Sequence, residues 1–229
     1  MKSRHIVQTK QELIEIIKAA PDDADLNYLD VSLITDMKEL FQNTNFNGKI
    51  DEWDISNVTD TSRMFFGSKF NQPIGSWDTS KVTDTSLMFY DSPFNQEIGN
   101  WDISKVTDMS AMFYDSPFNQ PIGSWNMSNV TSTSGMFYDS PFNQPIDSWD
   151  MSNVTDITWM LYGLTSLQTI DLSGWDLSNV TQNIDVFANT NALTTLIYND
   201  SVSPAVYSKF LQKVNGGTPP TNIDFNNGT

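Results

Sequence analysis

The chain has no cysteine, one histidine, and 12 lysines and arginines against 28 aspartates and glutamates in 229 residues. Without thiols there are no disulfides, thiolate nucleophiles or thiolate metal ligands, a composition that suits the cytosol and a thiol-avoiding bacterial surface equally. With His5 as the sole imidazole, outside the patterned part of the chain, a Ser-His-Asp or Cys-His site has no base to use. The formal charge of −16 repels a phosphate backbone, and the cationic footprint needed for counterion release is missing, which excludes nucleic acid as a partner. Long apolar runs are also absent. No segment approaches the roughly 20 apolar residues of a membrane-spanning helix. Met1, Lys2 and Arg4 are basic enough for a signal n-region, but Gln8 to Lys18 is amphipathic and charged where an apolar stretch would have to follow.

Aromatic residues are abundant: seven Trp, 14 Phe and seven Tyr supply enough buried area to argue for a folded chain despite the charge. They are also periodic. Trp53, Trp77, Trp101, Trp125 and Trp149 are spaced 24 residues apart, Leu29 sits one period earlier, and Trp175 follows after 26. The surrounding text repeats with them: Trp53-Asp54-Ile55-Ser56-Asn57-Val58-Thr59-Asp60, then Met64-Phe65, then Phe70-Asn71-Gln72-Pro73-Ile74. A fixed period of this kind marks a repeat architecture and overrides local propensity.

Within a unit the apolar positions Ile74, Trp77 and Val82, the pair Met88-Phe89, and Phe94 are separated by two or more mostly polar residues with recurrent Pro, Gly, Ser and Asn. This suits short strands and corners better than a long helix. Stacked turns would align Phe65, Phe89, Phe113 and Phe137 in one buried spine and Phe46, Phe70, Phe94, Phe118 and Phe142 in another.

The ends are patterned differently. Thr9 and Glu12 form a capping-box pair ahead of Leu13, Ile16, Ile17 and Ala20, and Pro21 closes the segment, which predicts an N-terminal cap helix. Ser203 and Pro204 open a second helical pattern through Val206, Phe210, Leu211 and Val214, followed by Gly216-Gly217, which predicts a C-terminal cap. The tail from Thr218 to Thr229 reads as a linker or a final edge strand. The expected fold is therefore a repeat solenoid with short strands, irregular turns and about seven repeats. Its parts are an N-terminal cap at 1–25, the solenoid at 26–199, and a C-terminal cap helix and tail at 200–229.

Leu167-Gln168-Thr169-Ile170-Asp171-Leu172 matches the L-x-x-L-x-L core of leucine-rich repeats, with Trp175 beyond it. The other turns, Trp-Asp-x-Ser-x-Val-Thr-Asp followed by Met-Phe and Phe-Asn-Gln, resemble the BspA-like repeat family of bacterial surface proteins, also known as the DUF285 or mycoplasma lipoprotein repeat. The resemblance spans about Leu26 to Ala192. It implies a leucine-rich-repeat-like solenoid, an extracellular or cell-surface location, and a role in adhesion or host contact, without defined ligand residues. A lipobox cysteine and a sortase-type motif, common in such proteins, are absent from this sequence.

Several columns carry candidate chemistry. Asp30, Asp54, Asp78, Asp102, Asp150 and Asp176 form one, and Asp36, Asp60, Asp84, Asp108 and Asp156 a second. They could line a cation stripe, but turn chemistry explains them better, because Asn126 replaces one Asp and the Gly-rich spacing of Ca²⁺ loops is missing. Identical carboxylates in identical settings also do not separate into the acid and base that glycosidase chemistry needs. Asn47, Asn71, Asn95, Asn119 and Asn143 read as a hydrogen-bonded amide ladder. The sequons at Asn57, Asn129, Asn153 and Asn179 come from the repeat itself, and sugars one rung apart would crowd each other. Thr-x-Thr pairs at Thr59, Thr83 and Thr131 resemble an ice-binding array, but the pattern breaks at Thr107 and Thr155.

The best site candidate is the column Phe66, Tyr90, Tyr114, Tyr138 and Tyr162, with Asp91, Asp115 and Asp139 following the first three tyrosines. If adjacent residues alternate in facing, the Phe before each Tyr is buried and the Tyr is outside. Exposed tyrosines beside aspartates could grip a glycan or a protein, and equally the rings could stack on one another and shield the chain. The expected function is a noncatalytic adhesion or interaction module, without cofactor or metal, monomeric, binding a host or neighbouring-cell protein or glycan. A structural spacer or self-associating surface element is the competing expectation.

Overall fold

Residues 24 positions apart lie side by side in the computed structural model, which describes residues 4–198 and the strand Asn222–Phe225. Asp36 pairs in parallel with Asp60, Asp60 with Asp84, Asp84 with Asp108, Asp108 with Ser132, and Ser132 with Asp156; Gln182 follows after 26. These are single bridges, not continuous strands. The reason lies in the segment just beyond each bridge. Met37, Glu39, Phe41 and Asn43 donate their N–H groups to the carbonyls of Asp60, Ser62, Met64 and Phe66 in the next unit. The alternate residues Leu40, Gln42 and Thr44 instead donate back to Met37, Glu39 and Phe41. Glu39 and Asn43 have φ of 60° and 54°, and two left-handed residues spaced in this way recur in each following unit. A chain of turns with a left-handed residue every fourth position cannot extend into a strand, yet it still satisfies every second N–H along the stack. The short strands expected throughout are thus confined to the two ends.

At the N-terminus β1 (His5–Ile6) pairs in parallel with β2 (Leu29–Asp30). Between them α1 (Lys10–Ala19) is capped by Thr9, whose hydroxyl accepts the Glu12 N–H, while the Glu12 carboxylate accepts the Gln8 N–H at 2.7 Å. That is the helix start expected from Thr9 and Glu12, and Leu13 and Ile17 are its buried face. At the other end β3 (Thr169–Asp171), β4 (Thr195–Tyr198) and β5 (Asn222–Phe225) form a parallel sheet in that order. Leu167, Ile170 and Leu172 are buried, and Leu193, Leu196 and Tyr198 repeat the same spacing in the next turn. β5 makes an edge strand of part of the tail. The C-terminal helix expected at Pro204–Val214 lies outside the described residues.

The core is a set of stacked ring columns. Phe41, Phe65, Phe89, Phe113 and Phe137 follow one another at 5.3–5.8 Å between centroids, within 9° of parallel. Phe46, Phe70, Phe94, Phe118 and Phe142 form a second column at 6.3–6.5 Å. Each unit also stacks its own two rings, as Phe89 on Phe94 at 3.9 Å. Six tryptophans are buried, and the indole N–H of each donates to an isoleucine or leucine carbonyl one unit earlier, from Trp53 to Leu26 through Trp175 to Ile146. The indole therefore fills volume and satisfies a backbone acceptor that would otherwise be buried alone.

Candidate functional site

The tyrosine column is continuous and half-buried. Phe66, Tyr90, Tyr114, Tyr138 and Tyr162 stack at 4.6, 4.5, 4.2 and 4.3 Å between ring centroids, within 14° of parallel. Interior rings therefore have both faces covered, and only their edges and hydroxyls reach the surface. The Asn189 amide donates to the Tyr162 hydroxyl at the last ring of the column. Burial, reinforced by the neighbouring hydroxyls, pushes Tyr138 well above the usual phenol range; burial also raises Tyr114.

Asp91, Asp115 and Asp139 sit next to these rings on the exposed surface, and their backbone explains their identity first. Their φ values are 49°, 51° and 51°. The same column holds Asn43, Gly67, Gly163 and Asn189, also at positive φ. Gly, Asn and Asp are the residues that occupy this region at least cost, so the column is a corner before it is a ligand. The sequence carried that signal in the Asn-Gly-Asp-Gly-Asn substitutions. Asp139 has a further peculiarity: partial desolvation of its carboxyl and then the nearby Asp115 raise it above the ordinary carboxylate value.

The two other aspartate columns are engaged in turns. Asp54, Asp78, Asp102, Asn126, Asp150 and Asp176 each accept, through Oδ1, the N–H two residues ahead at 2.9–3.1 Å. Asp36, Asp60, Asp84, Asp108 and Asp156 do the same at 2.8–2.9 Å. Hydrogen bonds from Ser32, Ser80 and Ser104 hold Asp30, Asp78 and Asp102 below the usual carboxylate range, and the Ser178 N–H does so for Asp176. Among the described residues no group of three or more His, Asp or Glu converges on a point where a metal ion could sit.

The asparagine column is a ladder, but of mixed kind. Each side-chain oxygen accepts the backbone N–H of the next asparagine, from Asn47 to Asn143, at 2.9–3.0 Å. Gln72, Gln96 and Gln120 add bonds from their amides to the same oxygens and to the adjacent carbonyls. The sequon amides are likewise occupied: Asn57, Asn129, Asn153 and Asn179 donate to the carbonyls of Ser32, Ser104, Ser128 and Ser152. Thr59, Thr83, Thr107, Thr131 and Thr155 donate both N–H and hydroxyl to the preceding threonine carbonyl, with Thr35 as the first acceptor.

One residue beside the tyrosines was not singled out by its periodicity because it has none. Trp159, the tryptophan out of register, is 45% exposed and meets Tyr138 edge-on at 6.5 Å. Its signal was the departure from a column that reads Leu87, Ala111, Gly135 before it.

A family model described as Mycoplasma protein of unknown function, DUF285, matches residues 11–116 and again 92–200. The chain belongs to the DUF285 family. One copy of the DUF285 model covers only part of the array, so the repetition admits two overlapping placements, which together take in all but the first residue of α1, the tyrosine column and β3 and β4. No curated protein and no solved structure matches the chain.

Proposed function

We propose that this DUF285 chain is a noncatalytic interaction module: a leucine-rich-repeat-like solenoid at the cell surface whose repeated face binds a protein or glycan partner in adhesion. The observation that carries this is the tyrosine column, a continuous run of half-buried rings whose edges lie beside the exposed Asp91, Asp115 and Asp139. A surface with the same geometry in successive units lets weak contacts add, which favours an extended or repetitive partner. Asx turns and ladders employ most of the remaining polar columns in holding the stack together, leaving few side chains for chemistry.

The covered ring faces alter how such binding would work. Sugars and cations both stack on ring faces, so a column whose faces are covered offers its phenol hydroxyls and the neighbouring carboxylates as the contacts. The test is an array of glycans and matrix proteins probed with the wild-type chain, with Tyr90, Tyr114 and Tyr138 all changed to Phe, and with all three changed to Ala. The Phe variant keeps the stack and removes the hydroxyls. Binding lost in both variants assigns the contact to the hydroxyl edge; binding untouched by either removes the column from the site. No binding to any array member, combined with concentration-dependent assembly in sedimentation, favours the spacer.

A further inference from the structure

Trp159 is where the array stops repeating itself. Its column runs Glu39, Arg63, Leu87, Ala111, Gly135, Trp159, Asp185, and every one of these residues has positive φ. A bulky side chain on a left-handed backbone is costly and calls for a reason. Burial is not that reason, because the indole is 45% exposed whereas the other six tryptophans are buried. Ile184, whose carbonyl accepts the Trp159 N–H at 2.9 Å, is 59% exposed. On the opposite side Gly135 bears no side chain; a Cβ there would lie 3.5 Å from Tyr114 Cδ2. The indole thus stands edge-on to Tyr138, one unit after the buried Gly135.

The charge around it is one-sided. From Val106 to Tyr198 the chain has no Lys, Arg or His. The four ion pairs among the described residues use Arg4, His5, Lys10 and Arg63, all far earlier in the array. We propose that Trp159, with the carboxylates of Asp115 and Asp139, is a docking seat for an arginine-bearing segment of a partner protein. The proposal rests on the interaction-module reading above. A guanidinium stacks on an indole face and donates in-plane to carboxylates, which matches a surface of one exposed ring and acceptors. A neutral glycan fits less well: it needs donors as well as acceptors, and the carboxylates of Asp115 and Asp139 offer acceptors alone.

The experiment uses the full chain and a fluorescein-labelled peptide of alternating arginine and glycine, with citrulline in place of arginine as the neutral isostere. Binding is read by anisotropy and by the 15N-indole resonances. The arginine peptide is expected to move the Trp159 resonance and leave the six buried indoles in place, with affinity falling as salt rises. Trp159→Ala keeps the net charge and is expected to weaken binding about tenfold, the scale of a partly desolvated cation–π contact. Trp159→Gly, which copies Gly135, guards against a backbone effect of the alanine and should weaken binding equally. Asp139→Asn, tolerated at a left-handed corner, is expected to weaken it by a smaller factor. Undiminished binding to Trp159→Ala and Trp159→Gly overturns the seat, because general attraction to an acidic chain would survive those changes. Equal binding of the citrulline peptide also overturns it. If a neutral oligosaccharide moves the Trp159 resonance and the arginine peptide does not, the cationic partner is wrong while the interaction module stands.

Discussion

In the central units Asn71, Asn95, Asn119 and Asn143 each donate their backbone N–H to the side chain of the asparagine one turn earlier. At the corresponding place near the C-terminus, Thr169–Asp171, Thr195–Tyr198 and Asn222–Phe225 pair backbone to backbone in a parallel sheet. The same column that holds Asp171 and Ile197 in the sheet holds Pro73, Pro121 and Pro145 in the central units. Proline has no N–H to give, so a backbone ladder could not pass through it. The Asn and Gln amides supply the bonds instead. The difference shows what each solution depends on: the sheet accepts any residue with a free N–H, whereas the central ladder depends on one particular side chain in every turn.

Exchanging the two solutions should break them unequally. Ile197→Pro removes an N–H from the middle strand of the sheet and is expected to cost about 3 kcal/mol or more, read as a lowered denaturant midpoint. Pro121→Ala, in the matching column, should change stability by roughly 0.5 kcal/mol or less, since Glu97 already occupies that place in the neighbouring unit. Asn95→Ala strips the acceptor used by Asn119 N–H and Gln120 and is expected to cost about 1–3 kcal/mol in the same measurement.

The aspartate turns and the tyrosine column sharpen the comparison through pH. Tyr114 and Tyr138 are raised in the folded chain, so the neutral phenol is favoured there. Their contribution to stability is complete below the unfolded value of about 10 and is lost as pH rises beyond it. Tyrosinate absorbance should lag behind that of the denatured chain, and the denaturant midpoint should fall as pH rises above about 10. Tyrosines that titrate together with those of the denatured chain would contradict the burial of the column. Asp30, Asp78, Asp102 and Asp176 are lowered, so their contribution is present above the unfolded value of about 4 and disappears as pH falls through the folded one. The smallest effect is expected for Asp102→Asn, within about 0.5 kcal/mol at neutral pH because Asn126 already makes the same turn, with reduced sensitivity to acid.

Much of this was legible in the sequence because stacking forces like residues onto like. The 24-residue spacing of the tryptophans, the two phenylalanine columns, and the start of α1 at Thr9 could be read directly. The left-handed positions were only half legible. At Asn43, Gly67, Asp91, Asp115, Asp139, Gly163 and Asn189 the residue types declare the conformation; at Glu39, Arg63, Leu87, Ala111 and Trp159 they do not, because packing along the stack overrides local preference there. The indole N–H bonds were hidden as well, since an apolar column at a fixed spacing does not say where its one polar atom points. Trp159 was missed for the opposite reason: a search for periodic columns passes over the residue that breaks one.

The dependence of the central ladder on a single side chain is tested most directly by hydrogen exchange in Asn95→Ala, followed amide by amide. The Asn119 N–H should exchange at least about tenfold faster, as expected when a bond of roughly 1.4 kcal/mol or more is lost, while Thr195–Tyr198 keep wild-type protection. Unchanged protection at Asn119, or an equal loss spread over both regions, would contradict it.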